Sequence, residues 1–218
     1  MRFTPVTATQ DSVTRGSSVP GASERDAAAP GFRFPAPLAR LTESLDAVAS
    51  NKALDVLTRP LRLGVRALPL GKAREVLRGV PLGHALHPAA VQVPVGAWLS
   101  AAALDLVPGN ERAARFLVGL GVVSALPAAA SGWVDWSEQR HEQLRTGLVH
   151  AAANSVGLVC YARSWRRRGQ DRMVAGKVWG FAGLAAVGVG GFIGGHIAYR
   201  QGVEPVETLP PLPRTPEG

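Results

Sequence analysis

Four long apolar runs constrain the fold of this chain more than any other feature of its sequence. They span residues 88–107, 116–134, 146–162 and 178–199, and Asp105 is the only Asp, Glu, Lys or Arg among them. A helix needs about 17–25 mostly apolar residues to cross a bilayer, whereas a surface helix of a soluble protein carries a polar face. The linking segments 108–112, 135–145 and 164–173 are short and are expected to be loops, so neighbouring helices should run antiparallel. The sequence therefore predicts an all-α fold with a four-helix transmembrane bundle in up-down-up-down order.

The rest of the chain divides around this membrane domain, which we place at residues 81–199. Residues 1–36 are rich in Ser, Thr, Pro, Gly and Ala, a composition typical of a disordered tail. Residues 37–80 alternate leucines with arginines and should form amphipathic juxtamembrane helices. Residues 200–218 form a Pro-rich tail that cannot continue a helix.

The juxtamembrane segment has two possible places. A helical period begins near Pro37, and Pro60 is expected to interrupt it. Short basic amphipathic helices suit the surface of a membrane. The alternative is that they pack on the loops of the membrane domain, and the sequence leaves both open.

Charge and cysteine content exclude several classes of function. The chain has 24 Lys and Arg against 16 Asp and Glu, a net charge of +8. Its basic residues flank apolar runs without zinc-finger spacing, which favours the bilayer as partner and excludes nucleic acid. A single cysteine, Cys160, permits no intrachain disulfide, no four-cysteine zinc site and no cysteine-bound iron–sulfur cluster. No nucleophile–base motif stands out, so the sequence carries no enzyme signature.

Histidines gather at one end of the predicted bundle. In up-down order the start of helices one and three and the end of helices two and four share one membrane face. His84 and His87 lie at the start of the first run, His150 near the start of the third, and His196 near the end of the fourth. If residues 84–87 are helical, His84 and His87 also share a helix face. Asn154 follows His150 by one turn and so lies on the same stripe.

These five residues, His84, His87, His150, Asn154 and His196, are the candidate cofactor-binding residues. Imidazoles from separate helices suit a b-type haem, which takes an axial nitrogen on each side of its ring. They also suit a transition metal, or a proton relay near a quinone. Polar side chains in membrane helices also tie helices together without any ligand, and that alternative stays open.

Small residues and prolines give packing expectations for the same helices. Glycines four residues apart allow close backbone contact in lipid. Prolines inside a helix remove a hydrogen bond and predict kinks. The glycine pairs are Gly176/Gly180, Gly190/Gly194 and Gly191/Gly195, the third run offers Gly147, Ala151 and Ser155, and the prolines are Pro94 and Pro127.

Several stretches also resemble a known family. LGHALHPAAVQVPVGAW (82–98), ALD (103–105), GLVHAAANS (147–155) and GGHIAYR (194–200) occur in this order. They resemble a family of bacterial membrane proteins, domain of unknown function 2231, over about residues 38–202. Some members are joined to a Rieske-type iron–sulfur domain, which implies a link to membrane electron transfer. The resemblance carries over to these positions: Gly83, His84, His87, Pro88, Pro94, Gly96, His150, Asn154, Gly195 and His196.

The expected function follows from the histidines and the resemblance together. We expect a multi-pass protein of the cell membrane that holds a haem or a metal for electron transfer. No Cys/His pairs follow the fourth run, so a Rieske-type redox partner would be a separate protein. The alternatives are a non-catalytic structural or partner subunit and a small transporter. The basic N-terminal region favours cytoplasmic termini.

Overall fold

The computed structural model describes residues 36–202 and consists there of helices, turns and short connections, without a strand. This confirms the all-α prediction. The predictions for residues 1–35 and 203–218 lie outside the described residues. The helices are α1 (Ala36–Ser50), α2 (Asp55–Ala67), α3 (Lys72–Arg78), α4 (Leu86–Ala90), α5 (Gln92–Asp105), α6 (Glu111–Glu138), α7 (His141–Arg168) and α8 (Met173–Tyr199).

Helices α5, α6, α7 and α8 pack on one another in a closed ring. Helix α5 packs on α6, α6 on α7, α7 on α8, and α8 returns to α5. An aromatic stack lies among them, with the rings of Trp98 and Tyr161 parallel and their centroids 4.0 Å apart. Ala101 and Val118 complete this buried cluster. Helices α1 to α4 pack around α6, α7 and α8 and contribute His87, described below.

Within residues 36–202, two helices are long and apolar enough to cross a membrane, α6 with 28 residues and α8 with 27. They contain the second and fourth predicted runs as unbroken helices. Pro127 lies inside α6, as the sequence predicts. Helix α7 contains the third run, but its charged ends lower its hydropathy.

Helix α7 corrects two predicted loops. Residues 135–145 and 164–173 were expected as connections, yet α6 continues to Glu138 and α7 covers residues 141–168. The physical reason lies in buried arginines at both ends of α7. Arg145 binds Asp55 and Arg168 binds Asp105, so these polar positions sit inside the protein as helix. Partners this distant in sequence cannot be recognised from local composition.

The first predicted run is not one helix. Helix α4 ends at Ala90 and α5 starts at Gln92, with Val91 between them. Pro94 therefore falls in the first turn of α5 and does not kink the middle of a long helix. The first N–H groups of a helix have no intrahelical acceptor, so a proline costs little there.

The juxtamembrane segment is helical, as predicted, but Pro60 does not interrupt it. Pro60 lies inside α2 on an exposed side of the helix. Helix α1 places Leu45 against Ile193 and Ile197 of α8. Helix α2 buries Thr58 completely against the bundle. Both helices thus pack on the membrane domain, in agreement with one of the two expected places.

Helix α7 has an inverted distribution of polarity. Its side chains Val156 and Val159 are 57% and 50% exposed. Charged residues near its two ends, Glu142, Arg163 and Arg166, are exposed. Five other polar positions, in contrast, are buried: Gln143, Arg145, Thr146, Ser164 and Arg168. A helix in a water-soluble protein shows the opposite arrangement.

Candidate functional site

Two histidines from different helices meet in the interior. His87 on α4 and His150 on α7 have ring centroids 6.2 Å apart and ring planes at 83°. The Nδ1 of His87 lies 2.8 Å from the carbonyl oxygen of Ala128 on α6. The Nδ1 of His150 lies 2.8 Å from the carbonyl oxygen of Gly190 on α8. A carbonyl only accepts, so each Nδ1 carries a hydrogen, and in the neutral ring the acceptor lone pair is on Nε2.

Glycines on the neighbouring helices make room for these rings. A Cβ atom at Gly132 would lie 2.7 Å from Nδ1 of His87, and one at Gly194 would lie 3.0 Å from Cε1 of His150. Real Cβ atoms essentially never approach within 3.0 Å of such neighbours. The histidine positions therefore depend on the glycines opposite them.

Asn154 lies beside His150, as the sequence stripe predicts. Its Nδ2 donates to the carbonyl oxygen of His150 at 2.9 Å and lies 3.2 Å from His150 Nε2. The same amide fills the space over Gly190, where a Cβ atom would approach within 2.6 Å. Asn154 therefore contacts the one ring nitrogen of His150 that the backbone leaves free.

Asp135 is a member of this site that the sequence did not single out as a ligand. It lies near the end of α6, close to the backbone of His87 and to the buried Arg78 of α3. The sequence signal that could have identified it is an acidic residue directly after an apolar run.

Two candidate histidines lie elsewhere. His84 is exposed, precedes α4, and has its Nδ1 3.1 Å from the carbonyl oxygen of Ala85. The expected helix face shared by His84 and His87 is therefore wrong, because the chain bends between them. His196 is buried where α1 meets α8, with Nε2 3.2 Å from Oδ1 of Asp46 but no hydrogen-bond geometry at either ring nitrogen.

A second polar centre lies toward the other ends of these helices. Arg168 of α7 makes a bidentate ion pair with Asp105 of α5, with Nη1 2.7 Å from Oδ1 and side chains 0% and 3% exposed. Lys177 donates to the Asp105 carbonyl oxygen at 2.7 Å, and Ser164 bonds Arg168 Nε. The sequence marked Asp105 but placed Arg168 in a loop, so this pair was missed.

One stripe of α7 connects the two centres. His150, Asn154, Tyr161 and Arg168 lie on the face that meets α8, opposite a row of its glycines. The row is Gly194, Gly190, Gly183, Gly180 and Gly176. The predicted pairs Gly176/Gly180 and Gly190/Gly194 thus pack as expected. The pair Gly191/Gly195 faces open space and Ser155 is exposed, so these residues make no such contact within the described chain, and a contact between chains stays a prediction.

A family model for predicted membrane proteins, domain of unknown function 2231, matches residues 83–207 of this chain. The chain belongs to this family. Neither a curated protein nor a solved structure matches it. The match begins just before His84 and includes α4 to α8, so both polar centres lie within the domain that defines the family. Together with the apolar helices α6 and α8, membership makes this a membrane protein.

Membership in family 2231 carries no assigned activity, so the chemistry has to be judged from the site itself. Within residues 36–202, no group of three or more His, Cys, Asp or Glu side chains is placed to hold a metal ion. A structural or catalytic metal ion usually takes at least three protein ligands. The pair His87 and His150 supplies two.

Proposed function

We propose that this protein crosses the membrane four times, through α4 and α5 together and through α6, α7 and α8, and that the bundle holds a b-type haem between His87 and His150. The contacts that link α5 to α8 in a ring support the bundle. The exposed valines and buried polar side chains of α7 support its place in lipid. Polar groups in membrane helices point to the bundle interior, where partners satisfy them.

The observation that carries the haem proposal is the geometry of the histidine pair. A b-type haem would take two imidazole ligands, and two different helices supply them here. The rings of His87 and His150 are 6.2 Å apart. Each Nδ1 donates to a backbone carbonyl, the arrangement that orients metal-binding imidazoles and leaves Nε2 for the metal.

The donor set favours haem over a metal ion held by protein alone. A haem needs only two protein ligands, because its macrocycle supplies the other four nitrogens. When bound, it supplies one-electron redox chemistry. His87 and His150 would hold it, and the carbonyl oxygens of Ala128 and Gly190 would keep the two rings in place. A separate redox partner, such as a Rieske-type protein, would exchange electrons with it.

A structural role is the second candidate, and Asn154 is the observation that favours it. Its amide lies 3.2 Å from Nε2 of His150 and so competes for the lone pair that iron would need. Histidine and asparagine contacts between membrane helices stabilise by about 0.6 kcal/mol on average. In that case the site ties α4, α6, α7 and α8 together without a cofactor.

The deciding measurement is an oxidised-minus-reduced visible spectrum of the detergent-purified protein, expressed with haem supplied. We expect a Soret band and sharp reduced bands in the wild type, lost in His87→Ala and in His150→Ala. His84→Ala is the matched control and should keep the spectrum, because His84 is exposed and outside the pair. Helical content by circular dichroism checks that each variant folds.

A colourless wild-type protein would contradict the haem proposal. If His87→Ala and His150→Ala then lower the melting temperature and His84→Ala does not, the structural role stands in its place. Retention of the spectrum in either pair variant would assign the ligand to another residue.

A further inference from the structure

Helix α2 has its polar and apolar sides arranged the opposite way from a helix packed on a soluble core. Its polar side faces the protein: Arg62 Nε donates to the Ser137 carbonyl oxygen at 2.8 Å, and Thr58 is fully buried. Asp55 receives a bidentate hydrogen bond from Arg145, at 2.7 and 3.0 Å. These contacts anchor α2 to the end of α6 and the start of α7.

The opposite side of α2 is apolar and largely exposed within residues 36–202, the part of the chain that the structure describes. We call it the α2 apolar face. Its side chains are between 42% and 77% exposed, and they are Val56, Leu57, Leu61, Leu63 and Leu68. At 100° per residue they cover one continuous side of the helix. Burial of such side chains away from water is favourable by about 1.5–3 kcal/mol each, so an occupant is expected.

Charge around this face identifies the occupant. Exposed basic residues lie along and beside α2: Arg59, 71% exposed and 3.8 Å from Asp55, lies on its edge, Lys52 precedes the helix and Lys72 follows it. The one acidic residue of α2, Asp55, has its pKa held below the usual range by the Arg145 hydrogen bond, so Arg145 neutralises an ionised carboxylate. The free charge near the α2 apolar face is therefore positive, which complements anionic lipid headgroups.

We propose that α2 lies in the interface of an anionic bilayer, with the α2 apolar face among the acyl chains and its basic edge at the phosphates. Its polar side stays bound to α6 and α7. Position supports this, because Ser137 lies at the end of α6, a helix long and apolar enough to cross a membrane. Amphipathic helices with basic residues beside the apolar side bind bilayers in this way. The proposal is independent of haem.

The test measures the surroundings of single fluorescent labels on the full chain in vesicles of phosphatidylcholine and phosphatidylglycerol. Leu57→Cys and Leu63→Cys report on the α2 apolar face in a Cys160→Ala background. Glu43→Cys, an exposed site on α1, is the control. We expect brominated acyl chains to quench the labels at positions 57 and 63 severalfold more than at 43, and aqueous iodide to show the reverse order.

Three outcomes would overturn the proposal. Iodide quenching at positions 57 and 63 equal to that at 43 would place the face in water. Shielding from both quenchers would assign it to a second copy or another protein. The third outcome is lipid quenching that stays unchanged when the basic residues are removed together by Lys52→Gln, Arg59→Gln and Lys72→Gln, or when the vesicles contain phosphatidylcholine alone. It would show that anionic headgroups do not bind this face. Weaker lipid quenching in both cases supports the proposal.

Discussion

At the scale of single residues, the ion pair between Arg168 and Asp105 is both buried and fully paired. The side chains of Arg168 and Asp105 are 0% and 3% exposed, and each guanidinium and carboxylate arm of the pair is used. Ser164 and Lys177 satisfy neighbouring groups. Removal of one partner from such a pair leaves an uncompensated charge in a low-dielectric interior, whereas replacement of both partners removes that penalty.

We therefore predict that Asp105→Ala destabilises the protein by about 3–5 kcal/mol, because Arg168 would remain charged and unpaired. The double variant Asp105→Ala with Arg168→Met should recover much of that loss. Thermal unfolding of the four proteins in one detergent completes the double-mutant cycle. If the losses of stability in Asp105→Ala and Arg168→Met simply add up in the double variant, the two charges do not depend on each other.

Histidines behave differently from one another at this scale, although the sequence treated them alike. The antiparallel order of the helices correctly predicted that His87 and His150 lie at the same end of the structure. It could not predict that His84 turns outward, because no local signal marks the bend before α4. Nor could it assign His196 to Asp46, a residue 150 positions away in the chain whose contact depends on how α1 docks.

At the scale of elements, the contact between α7 and α8 combines polar side chains with glycines. Gly190 faces Asn154, and a Cβ atom would lie 2.6 Å from its amide atoms, whereas Gly191 has nothing within 4 Å. The two glycines are adjacent in one helix and share the same intrinsic helix propensity. They form a matched pair that separates packing from propensity.

Gly190→Ala is expected to destabilise the protein by about 1–3 kcal/mol, the usual cost of overpacking a tight contact. Gly191→Ala should be neutral or stabilise by up to about 1 kcal/mol, because alanine favours helix over glycine. Melting temperatures in detergent provide the comparison. Similar effects of the two substitutions would mean that the close approach of Asn154 to α8 contributes nothing to stability.

Elements that the sequence predicted well are those whose signal is local. Helices α6 and α8 contain long apolar runs without charge, so composition alone identifies them. The extent of α7 was underestimated because Arg145 and Arg168 look like loop residues until Asp55 and Asp105 are seen beside them. The break between α4 and α5 was missed because the apolar run continues through Val91 without interruption.

At the scale of the whole molecule, the number of membrane crossings depends on α7. In its middle, His150 and Asn154 face glycines of α8 while Val156 and Val159 are exposed, which is the arrangement expected of a helix in lipid. Hydropathy averaged along the helix cannot register this, because it counts buried and exposed residues equally. The direction of the side chains, in contrast, separates the two environments.

If α7 crosses the membrane, the two ends of α7 lie on opposite sides. Glu142 lies at the start of α7 and Gln170 just after its end, and both are exposed. Asn110 lies just before α6, so Asn110 and Glu142 mark the two ends of that helix. We predict that a membrane-impermeant thiol reagent applied to intact cells, in a Cys160→Ala background, labels Asn110→Cys and Gln170→Cys alike and Glu142→Cys oppositely. Permeabilised cells control for reactivity at each site.

The contradicting outcome is that Glu142→Cys and Gln170→Cys are labelled equally and Asn110→Cys is labelled oppositely. In that case α6 crosses the membrane, but both ends of α7 lie on one side. The histidine pair would then lie at a membrane surface, where water competes for Nε2, and the haem proposal would lose its enclosed site.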